Sequence, residues 1–291
     1  MSAIIIDGVQ YHNSVMESVK NNLDAVKSTL PEGVELPTLA IFNYAETKEP
    51  SMFSKMKKKD FNAVGVNVIQ FSFNNIIGMN DALNACFINN KFAKNKFSNI
   101  ITSIEMPIPG VNLNYVRSMK MQDLDCLDNE AMLSEIAADY NENNILDLMP
   151  CTPNGVIAML YYFIDDFKGF TGKKVVVIGR SIEVGLPLAT MLIKENATVS
   201  VLHSKTKRDD MVDLCRGADI VISATGHDGL INADMIKPGA ICVGIGPYDF
   251  TDDVFEKAGY ITARTKCVGL YTRAIALKNY NSIIADRAVC L

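Results

Sequence analysis

A buried-strand pattern followed by a turn with two glycines constrains the fold of this chain more than any other feature. Residues 175–178 are four consecutive β-branched side chains, Gly179 follows them, and Gly185 opens an apolar stretch with helical spacing. A continuous apolar run is typical of a strand buried on both faces, and glycines permit a tight turn and close helix packing. The pattern therefore predicts a Rossmann-type nucleotide turn, whose helix N-terminus attracts phosphate. Ser181 replaces the second glycine of GxGxxG, so an ordinary strand–turn–helix remains an alternative.

Strand and helix patterns alternate along the whole sequence. Strands are predicted at 37–42, 66–71, 98–104, 174–178, 197–202, 219–224, 240–245 and 259–262. Helices are predicted at 49–64, 81–92, after Pro150 (with Thr152 or Asn154 as the N-cap), at 184–195 and near the C-terminus. This alternation predicts an α/β protein with parallel sheets. Its length predicts two domains, 1–148 and 149–272, with a helix at 273–291 that returns to the first domain and an acidic connection at 123–144.

Composition and charge narrow the class of protein. Apolar residues make up 48% of the chain and charged residues 21%, which is typical of a folded soluble protein. The net charge of −5 does not favour nucleic-acid binding, and the longest apolar runs are too short to span a membrane. The N-terminus lacks the basic start of a signal peptide, so a cytoplasmic location is expected. Seven cysteines without a CxxC pair and three scattered histidines favour neither a disulfide framework nor a metal site.

The end of the strand at 197–202 distinguishes between the two nicotinamide cofactors. NAD-binding proteins usually place an acidic side chain there to bind the ribose hydroxyls. Here the strand is followed by His203, Ser204 and Lys205, none of which is acidic. Arg180 in the turn, together with Ser204 and Lys205, could instead bind a 2′-phosphate, which favours NADP. The alternative for Lys205 and Lys207 is a solvated loop.

Five segments together resemble the bifunctional methylenetetrahydrofolate dehydrogenase/methenyltetrahydrofolate cyclohydrolase family. They are Pro150–Val156, Gly179–Ala189, Ala197–Thr206, Ala218–Gly226 and Lys237–Ala240. The resemblance implies a homodimer, a folate-binding N-terminal α/β catalytic domain, a Rossmann-type parallel-sheet NADP-binding domain and a cleft between them. It also implies hydride transfer from 5,10-methylenetetrahydrofolate to NADP, followed by hydrolysis of the methenyl product to 10-formyltetrahydrofolate. The implied ligands are tetrahydrofolate derivatives.

The resemblance also implies particular site residues. The family's catalytic lysine matches Lys57, the acid that binds the pterin amino edge matches Asp125, and the family's Gln-Leu-Pro-Leu-Pro segment begins here at Glu105. The other implied substrate-binding residues are Phe53, Pro107, Gly269 and Thr272. The implied cofactor-binding residues are Gly179, Arg180, Ser181, Val184, Gly185, His203, Ser204 and Thr225. Without the resemblance, Lys57 could equally be a solvated lysine within its basic run, and Asp125 a surface acid.

Three departures from the family pattern bear on activity. Phe53 replaces a tyrosine, and so keeps a ring for stacking but loses the hydroxyl. Glu105 replaces a glutamine; if it faces Lys57, an ion pair would raise the lysine pKa and weaken hydrolysis, so that Glu105→Gln should increase the hydrolytic rate. Lys266 and Cys267 replace two glycines in a loop expected beside the ligands, where they would alter binding.

Two other functions are compatible with these departures. One is a Rossmann dehydrogenase that acts on a different substrate. The other is a divergent paralogue that binds nucleotide or folate without turnover. Reduction of NADP by methylenetetrahydrofolate distinguishes the first interpretation from both alternatives.

Overall fold

The computed structural model describes residues 2–44, 50–92, 97, 99–105, 123–126 and 148–288. Pro107 and most of the connection predicted at 123–144 lie outside the described residues. The strands are β1 Ile4–Ile6, β2 Leu39–Tyr44, β3 Val68–Phe73, β4 Ile101–Glu105, β5 Lys174–Ile178, β6 Thr198–Leu202, β7 Ile220–Ser223, β8 Ile241–Gly244 and β9 Tyr260–Thr262. The α-helices are α1 Val9–Thr29, α2 Met52–Ala63, α3 Ile76–Phe92, α4 Cys151–Phe163, α5 Gly185–Lys194, α6 Arg208–Gly217 and α7 Val268–Ala288.

The described residues group into two compact units. One contains residues 2–12 and 150–272, and the other contains 13–126 with gaps, 148–149 and 273–288. Within the described part of the chain, no helix combines the length and the apolar character needed to cross a membrane.

The first unit is built on a six-stranded sheet in the order β1-β9-β8-β7-β5-β6, and all of its strand pairs are parallel. This confirms the predicted Rossmann-type parallel sheet. Its strands bury Val176, Ile178, Cys242 and Ile261 in one apolar cluster. Burial of this kind is what the continuous apolar runs predicted.

Strand β1 departs from the predicted domain division. The sequence assigned residues 1–148 to the first domain, but β1 pairs with β9 and lies at the edge of the large sheet. Ile4 N–H donates to Gly259 O at 2.9 Å, and Ala263 N–H donates to Ile6 O at 2.8 Å. These bonds give β9 a partner along an edge that would otherwise present unpaired backbone groups.

The second unit contains a three-stranded parallel sheet in the order β3-β2-β4. One face places Phe42 and Ile104 against Met79 and Leu83 of α3 in an apolar cluster. Because side chains alternate along a strand, Asn43 and Glu105 project from the opposite face. That opposite face carries the polar residues described below.

Helix α7 contributes polar anchors to the second unit. Asn279 Nδ2 donates to Leu124 O at 3.0 Å, and Tyr280 donates its hydroxyl hydrogen to Pro37 O. The Arg287 guanidinium donates to Asn99 O at 2.8 Å. Burial lowers the pKa of Arg287 to about 10. The C-terminal helix therefore satisfies backbone carbonyls of three separate segments.

The N-cap predicted for α4 is wrong. Pro150 occupies the N-cap position, with no side-chain capping bond, and its carbonyl accepts the N–H of Asn154 at 3.0 Å. The helix begins at Cys151, so Thr152 and Asn154 are already inside its first turn. Proline is compatible with a helix start because its fixed φ suits the entry and its missing N–H needs no partner there.

Candidate active site

Two glycines shape the turn between β5 and α5. Gly179 has φ of +124°, and a Cβ built there would lie 2.5 Å from Ala224 O. A Cβ on Gly185 would lie 2.2 Å from Gly179 O. Both distances are too short for any side chain, so these positions require glycine. The turn therefore brings the backbone close to neighbouring strands, as the sequence predicted.

Ser181 has a structural role where the usual motif has glycine. Its hydroxyl accepts the N–H of Val184 at 3.2 Å, and its carbonyl accepts the N–H of Leu186 at 3.0 Å. The side chain of Arg180 beside it is exposed. The loop is thus closed by a side-chain hydrogen bond just before the N-terminus of α5, which can attract a phosphate.

Loops after the neighbouring strands complete this edge of the sheet. His203 N–H donates to Thr206 Oγ1 at 2.9 Å, and Lys205 N–H donates to His203 Nδ1 at 3.2 Å, which leaves Ser204 exposed. Thr225 Oγ1 accepts the N–H of His227 at 3.2 Å. Because β6 and β7 flank β5 in a parallel sheet, the structure brings Gly179, His203 and Thr225 to its carboxyl edge. In α/β sheets this edge is where ligands bind.

Lys57 is the buried member of its basic run. Its exposed fraction is 2%, whereas Lys55 and Lys59 are exposed. Its Nζ lies 2.9 Å from Ser103 Oγ, 3.1 Å from Asp125 Oδ1 and 5.3 Å from the centroid of the Phe53 ring. The interpretation of Lys57 as a solvated lysine is therefore wrong. The ammonium group is surrounded by an anion, a hydroxyl and an aromatic face, all of which stabilise a positive charge.

Asp125 is oriented by the backbone of β4. Its Oδ2 accepts the hydroxyl of Ser103 at 2.7 Å and the N–H of Ile104 at 2.8 Å, while Oδ1 contacts Lys57. Its own N–H donates to Asp123 Oδ1 at 3.2 Å. A carboxylate with this many charge-assisted bonds is held in one orientation.

Glu105 lies in the same unit, next to the N-terminus of α2. Its Oε2 accepts the hydroxyl of Ser51 at 2.9 Å, and Ser51 also caps the helix by accepting the N–H of Ser54. Burial raises the pKa of Glu105, and the charge of Lys57 partly opposes that rise. The sequence predicted that Glu105, if it faces Lys57, would form an ion pair that favours the ammonium form. The structure gives Lys57 an ion pair with Asp125, which favours that form already.

Several residues around this site were missed from the sequence. Ser103 contacts both Lys57 and Asp125, and the side chain of Gln70 donates to Ser54 Oγ. The alternation in β4 was the available signal, because it places Ser103 and Glu105 on the same face. Single polar residues within strands are common, so they identify a site only when the element that packs against that face of the sheet is known.

Cys267, in the substituted loop before α7, does not lie beside a ligand as the sequence predicted. That side chain is 3% exposed, its Sγ lies 3.5 Å from Met159 Sδ, and burial raises its pKa to about 12. Cys267 is therefore part of the protein interior and does not extend toward a ligand. Lys266 is exposed and adopts φ of +56°, a conformation that glycine adopts more easily.

The remaining predicted loop residues lie around the start of α7. Gly269 is exposed, while Thr272 is buried and its hydroxyl lies 3.2 Å from Thr152 Oγ1. A Cβ on Gly155 would come within 3.1 Å of Thr272 N, so α4 and α7 approach closely at this point. These contacts fix the position of Thr272 within the first unit.

Comparisons with known sequences and with solved structures find the same family. Residues 150–288 match the family described as "Tetrahydrofolate dehydrogenase/cyclohydrolase, NAD(P)-binding domain". A relative from Thermodesulfovibrio yellowstonii named "Bifunctional protein FolD" is 32% identical over 305 residues, covering 96% of this chain and 96% of the relative. The Trypanosoma brucei N5,N10-methylenetetrahydrofolate dehydrogenase-cyclohydrolase, solved with NADP cofactor and an inhibitor, is 27% identical with a TM-score of 0.80 over 98% of each chain. The FolD enzyme of Campylobacter jejuni is also 27% identical, with a TM-score of 0.79 over 98% of this chain and 100% of that one.

Proposed function

The chain belongs to the tetrahydrofolate dehydrogenase/cyclohydrolase family, and from this premise we propose that it acts on tetrahydrofolate derivatives in two steps. It oxidises 5,10-methylenetetrahydrofolate to 5,10-methenyltetrahydrofolate with NADP, and it hydrolyses that product to 10-formyltetrahydrofolate. The observation that carries the proposal is the buried pair of Lys57 and Asp125 in a chain that a relative matches over 96% of its length.

The residues of the turn after β5 fit a bound NADP. Gly179 and Gly185 let the backbone of the turn pack closely where any Cβ would clash, and the start of α5 supplies backbone N–H groups for a phosphate. Arg180 and Ser204 are exposed, and neither they nor His203 is acidic, which suits a 2′-phosphate. When bound, the nicotinamide ring accepts the hydride from the methylene carbon of the substrate.

The second unit supplies the folate-binding residues in this proposal. Lys57 serves as the proton-transfer residue, held by Ser103 and Asp125. Phe53, whose ring lies beside the ammonium group, offers an apolar face against which a flat ring can stack. Asp125 accepts hydrogen bonds from the amino edge of the pterin.

The direct test follows both steps in one cuvette. Purified protein is mixed with methylenetetrahydrofolate and NADP, and formation of NADPH and of the methenyl chromophore, then decay of that chromophore, are recorded. NADPH formation followed by chromophore decay supports the proposal. The absence of NADPH at high enzyme concentration contradicts it. Binding of NADP or folate without turnover favours a divergent binding protein, and reduction of NADP by another substrate favours a different Rossmann dehydrogenase.

The assembly, location and domain roles are further parts of the proposal. We assign folate binding to the domain predicted at 1–148 with the helix at 273–291, except for β1, which pairs with β9, and NADP binding to the domain at 149–272. A homodimer in the cytoplasm is expected. Sedimentation of the purified protein tests the dimer, and fractionation of the source cells tests the location.

A further inference from the structure

Ser103 lies between the two charged side chains Lys57 and Asp125. Its own side chain is fully buried on β4. The hydroxyl accepts a hydrogen bond from Lys57 Nζ at 2.9 Å and donates its hydrogen to Asp125 Oδ2 at 2.7 Å. A serine hydroxyl has one hydrogen to donate and two lone pairs with which to accept, so both bonds can exist at once. Ser103 therefore fixes the ammonium group and the carboxylate relative to each other.

The bonds of Asp125 divide unequally between its two carboxylate oxygens. Oδ2 accepts the hydroxyl of Ser103 at 2.7 Å and the N–H of Ile104 at 2.8 Å. Among the described residues, Oδ1 contacts Lys57 Nζ alone, at 3.1 Å. An ionised carboxylate has about four lone-pair sites, which are shared equally by its two oxygens. Oδ2 is therefore saturated, whereas Oδ1 can accept one more hydrogen bond.

A folate that binds to Asp125 must consequently use Oδ1. The carboxylate side chain is 12% exposed, so a ligand donor can approach it. A donor at Oδ1 draws negative charge toward itself from the oxygen that faces Lys57. The ion pair of Lys57 then weakens, because one oxygen now stabilises two donors. The bond from Lys57 Nζ to Ser103 does not involve Oδ1 and is kept.

We propose that Ser103 is a positioning residue that directs the folate to Oδ1 of Asp125 and holds Lys57 in place while that ligand weakens the ion pair of the lysine. The inference rests on the proposed function, in which Lys57 transfers a proton and Asp125 binds the pterin. Folate binding prepares Lys57 for proton transfer, because the ammonium form loses part of its stabilisation. Without Ser103, a lysine with a weakened ion pair would lose its fixed position at the moment of reaction.

Ser103→Ala tests the proposal by separating kcat from KM. The substitution removes the anchor of Lys57 Nζ and frees one lone pair on Asp125 Oδ2. We expect kcat for hydrolysis of supplied methenyltetrahydrofolate to fall by about 30-fold, within the loss of roughly 100-fold that a misplacement of 1 Å can cause. The KM for methenyltetrahydrofolate should not rise, because Asp125 still accepts the pterin donors and gains an acceptor site at Oδ2. General damage to the folate site would raise that KM.

Two further variants control for the loss of a hydroxyl. Ser72→Ala removes a hydroxyl from the same face of the same sheet, where Ser72 donates to Asn43 Oδ1 at 3.1 Å. It should leave kcat and KM at their wild-type values. Ser103→Thr keeps a hydroxyl at the position of interest and should recover most of the kcat that Ser103→Ala loses.

Each kinetic outcome decides for or against the proposal. An unchanged kcat in Ser103→Ala overturns it, and so does a rise in KM as large as the fall in kcat. A Ser103→Thr protein as impaired as Ser103→Ala overturns it as well. In all three cases an active wild-type protein leaves the proposed function intact. A wild-type protein that neither reduces NADP nor hydrolyses methenyltetrahydrofolate overturns the proposed function, and this inference with it.

A crystal structure of the wild-type protein with bound folic acid tests the geometry independently of any rate. It should show a pterin nitrogen within about 3.2 Å of Asp125 Oδ1, with Lys57 Nζ still within about 3.2 Å of Ser103 Oγ. A pterin that bonds to Oδ2, or an Nζ that has moved away from Ser103, overturns the inference while folate binding itself stands.

Discussion

Arg273 Nε lies 3.0 Å from Asp60 Oδ2, and the two side chains are only 7% and 10% exposed. Asp60 lies one helical turn after Lys57 on α2, and Arg273 lies in the first turns of α7. The ion pair therefore connects the helix that carries Lys57 to the C-terminal helix within the second unit. Burial lowers the pKa of Arg273, and the charge of Asp60 opposes that shift.

Arg273→Met tests how much this ion pair stabilises the protein. The substitution removes the guanidinium from a buried carboxylate, which should lower the free energy of unfolding by about 3–5 kcal/mol. The double variant Asp60→Ala/Arg273→Met removes both charges and should recover much of that loss. Urea unfolding followed by circular dichroism measures both effects. The matched control is Lys27→Met, which breaks a more exposed pair with Asp24 and should cost about 0–1 kcal/mol. Equal effects for Arg273→Met and Lys27→Met would contradict this account.

The periodicity of the sequence predicted most of the strands and helices, because the spacing of apolar residues reflects which side chains each element buries. Strand β5 was predicted with its observed bounds, and the apolar runs of the large sheet matched its buried strands. Helix α1 was missed, although Val15, Val19 and Leu23 recur at helical spacing and are all buried. Strand β1 was missed because three residues carry too little pattern, and only its pairing with β9 reveals it.

The candidate site was predictable to a smaller extent. Lys57 and Asp125 came from the family resemblance, and their contact with each other depends on how α2 packs on the sheet. Ser103, which joins them, had only the alternation within β4 as a signal, and Asn43 was not identified from the sequence. The role of a polar residue within a strand depends on the hydrogen-bond partners that the fold places beside it.

Gly185→Ala tests the turn that the cofactor proposal depends on. The new Cβ would lie 2.2 Å from Gly179 O, so the backbone of the turn must shift. We expect the KM for NADP to rise by about 10-fold or more, as a result of a misplaced phosphate-binding turn. Gly217→Ala is the control, because nothing lies within 4 Å of its Cβ position and its φ is not in the left-handed region. Unchanged NADP kinetics in Gly185→Ala would rule out this turn as the cofactor site.

Arg180→Ala tests the preference for NADP over NAD. A guanidinium that contacts a 2′-phosphate contributes about 1.5–3 kcal/mol, which corresponds to a rise of about 10- to 150-fold in the KM for NADP. The KM for NAD should change little, because NAD lacks that phosphate. Lys207→Ala, which removes an exposed cation from the nearby loop, is the control and should leave both values unchanged. Similar changes for NADP and NAD would show that Arg180 acts on the shared part of the cofactor.

Cys242→Ala tests whether a buried thiol causes the free energy of unfolding to fall at alkaline pH. Burial raises the pKa of Cys242 to about 12, from 9.0 for an unperturbed thiol. The folded state therefore keeps this thiol protonated at pH values where the unfolded state ionises. Its contribution to stability is complete below about pH 9 and is lost as the pH rises toward 12, at about 1.4 kcal/mol per pH unit. Cys242→Ala should reduce the slope of unfolding free energy against pH between 9 and 11 by about that amount.

The neighbouring substitution Val243→Ala separates this effect from simple loss of packing. Val243 is also fully buried and has no titratable group, so its truncation should lower the free energy of unfolding by a similar amount at every pH. Burial also raises the pKa of Cys215 to about 11 and that of Cys267 to about 12, so the alkaline slope should fall further in Cys215→Ala/Cys242→Ala, while the part due to Cys267 persists. Equilibrium unfolding in urea at a series of pH values measures all four proteins. Identical slopes in the wild type and the double variant would exclude Cys215 and Cys242 as the cause.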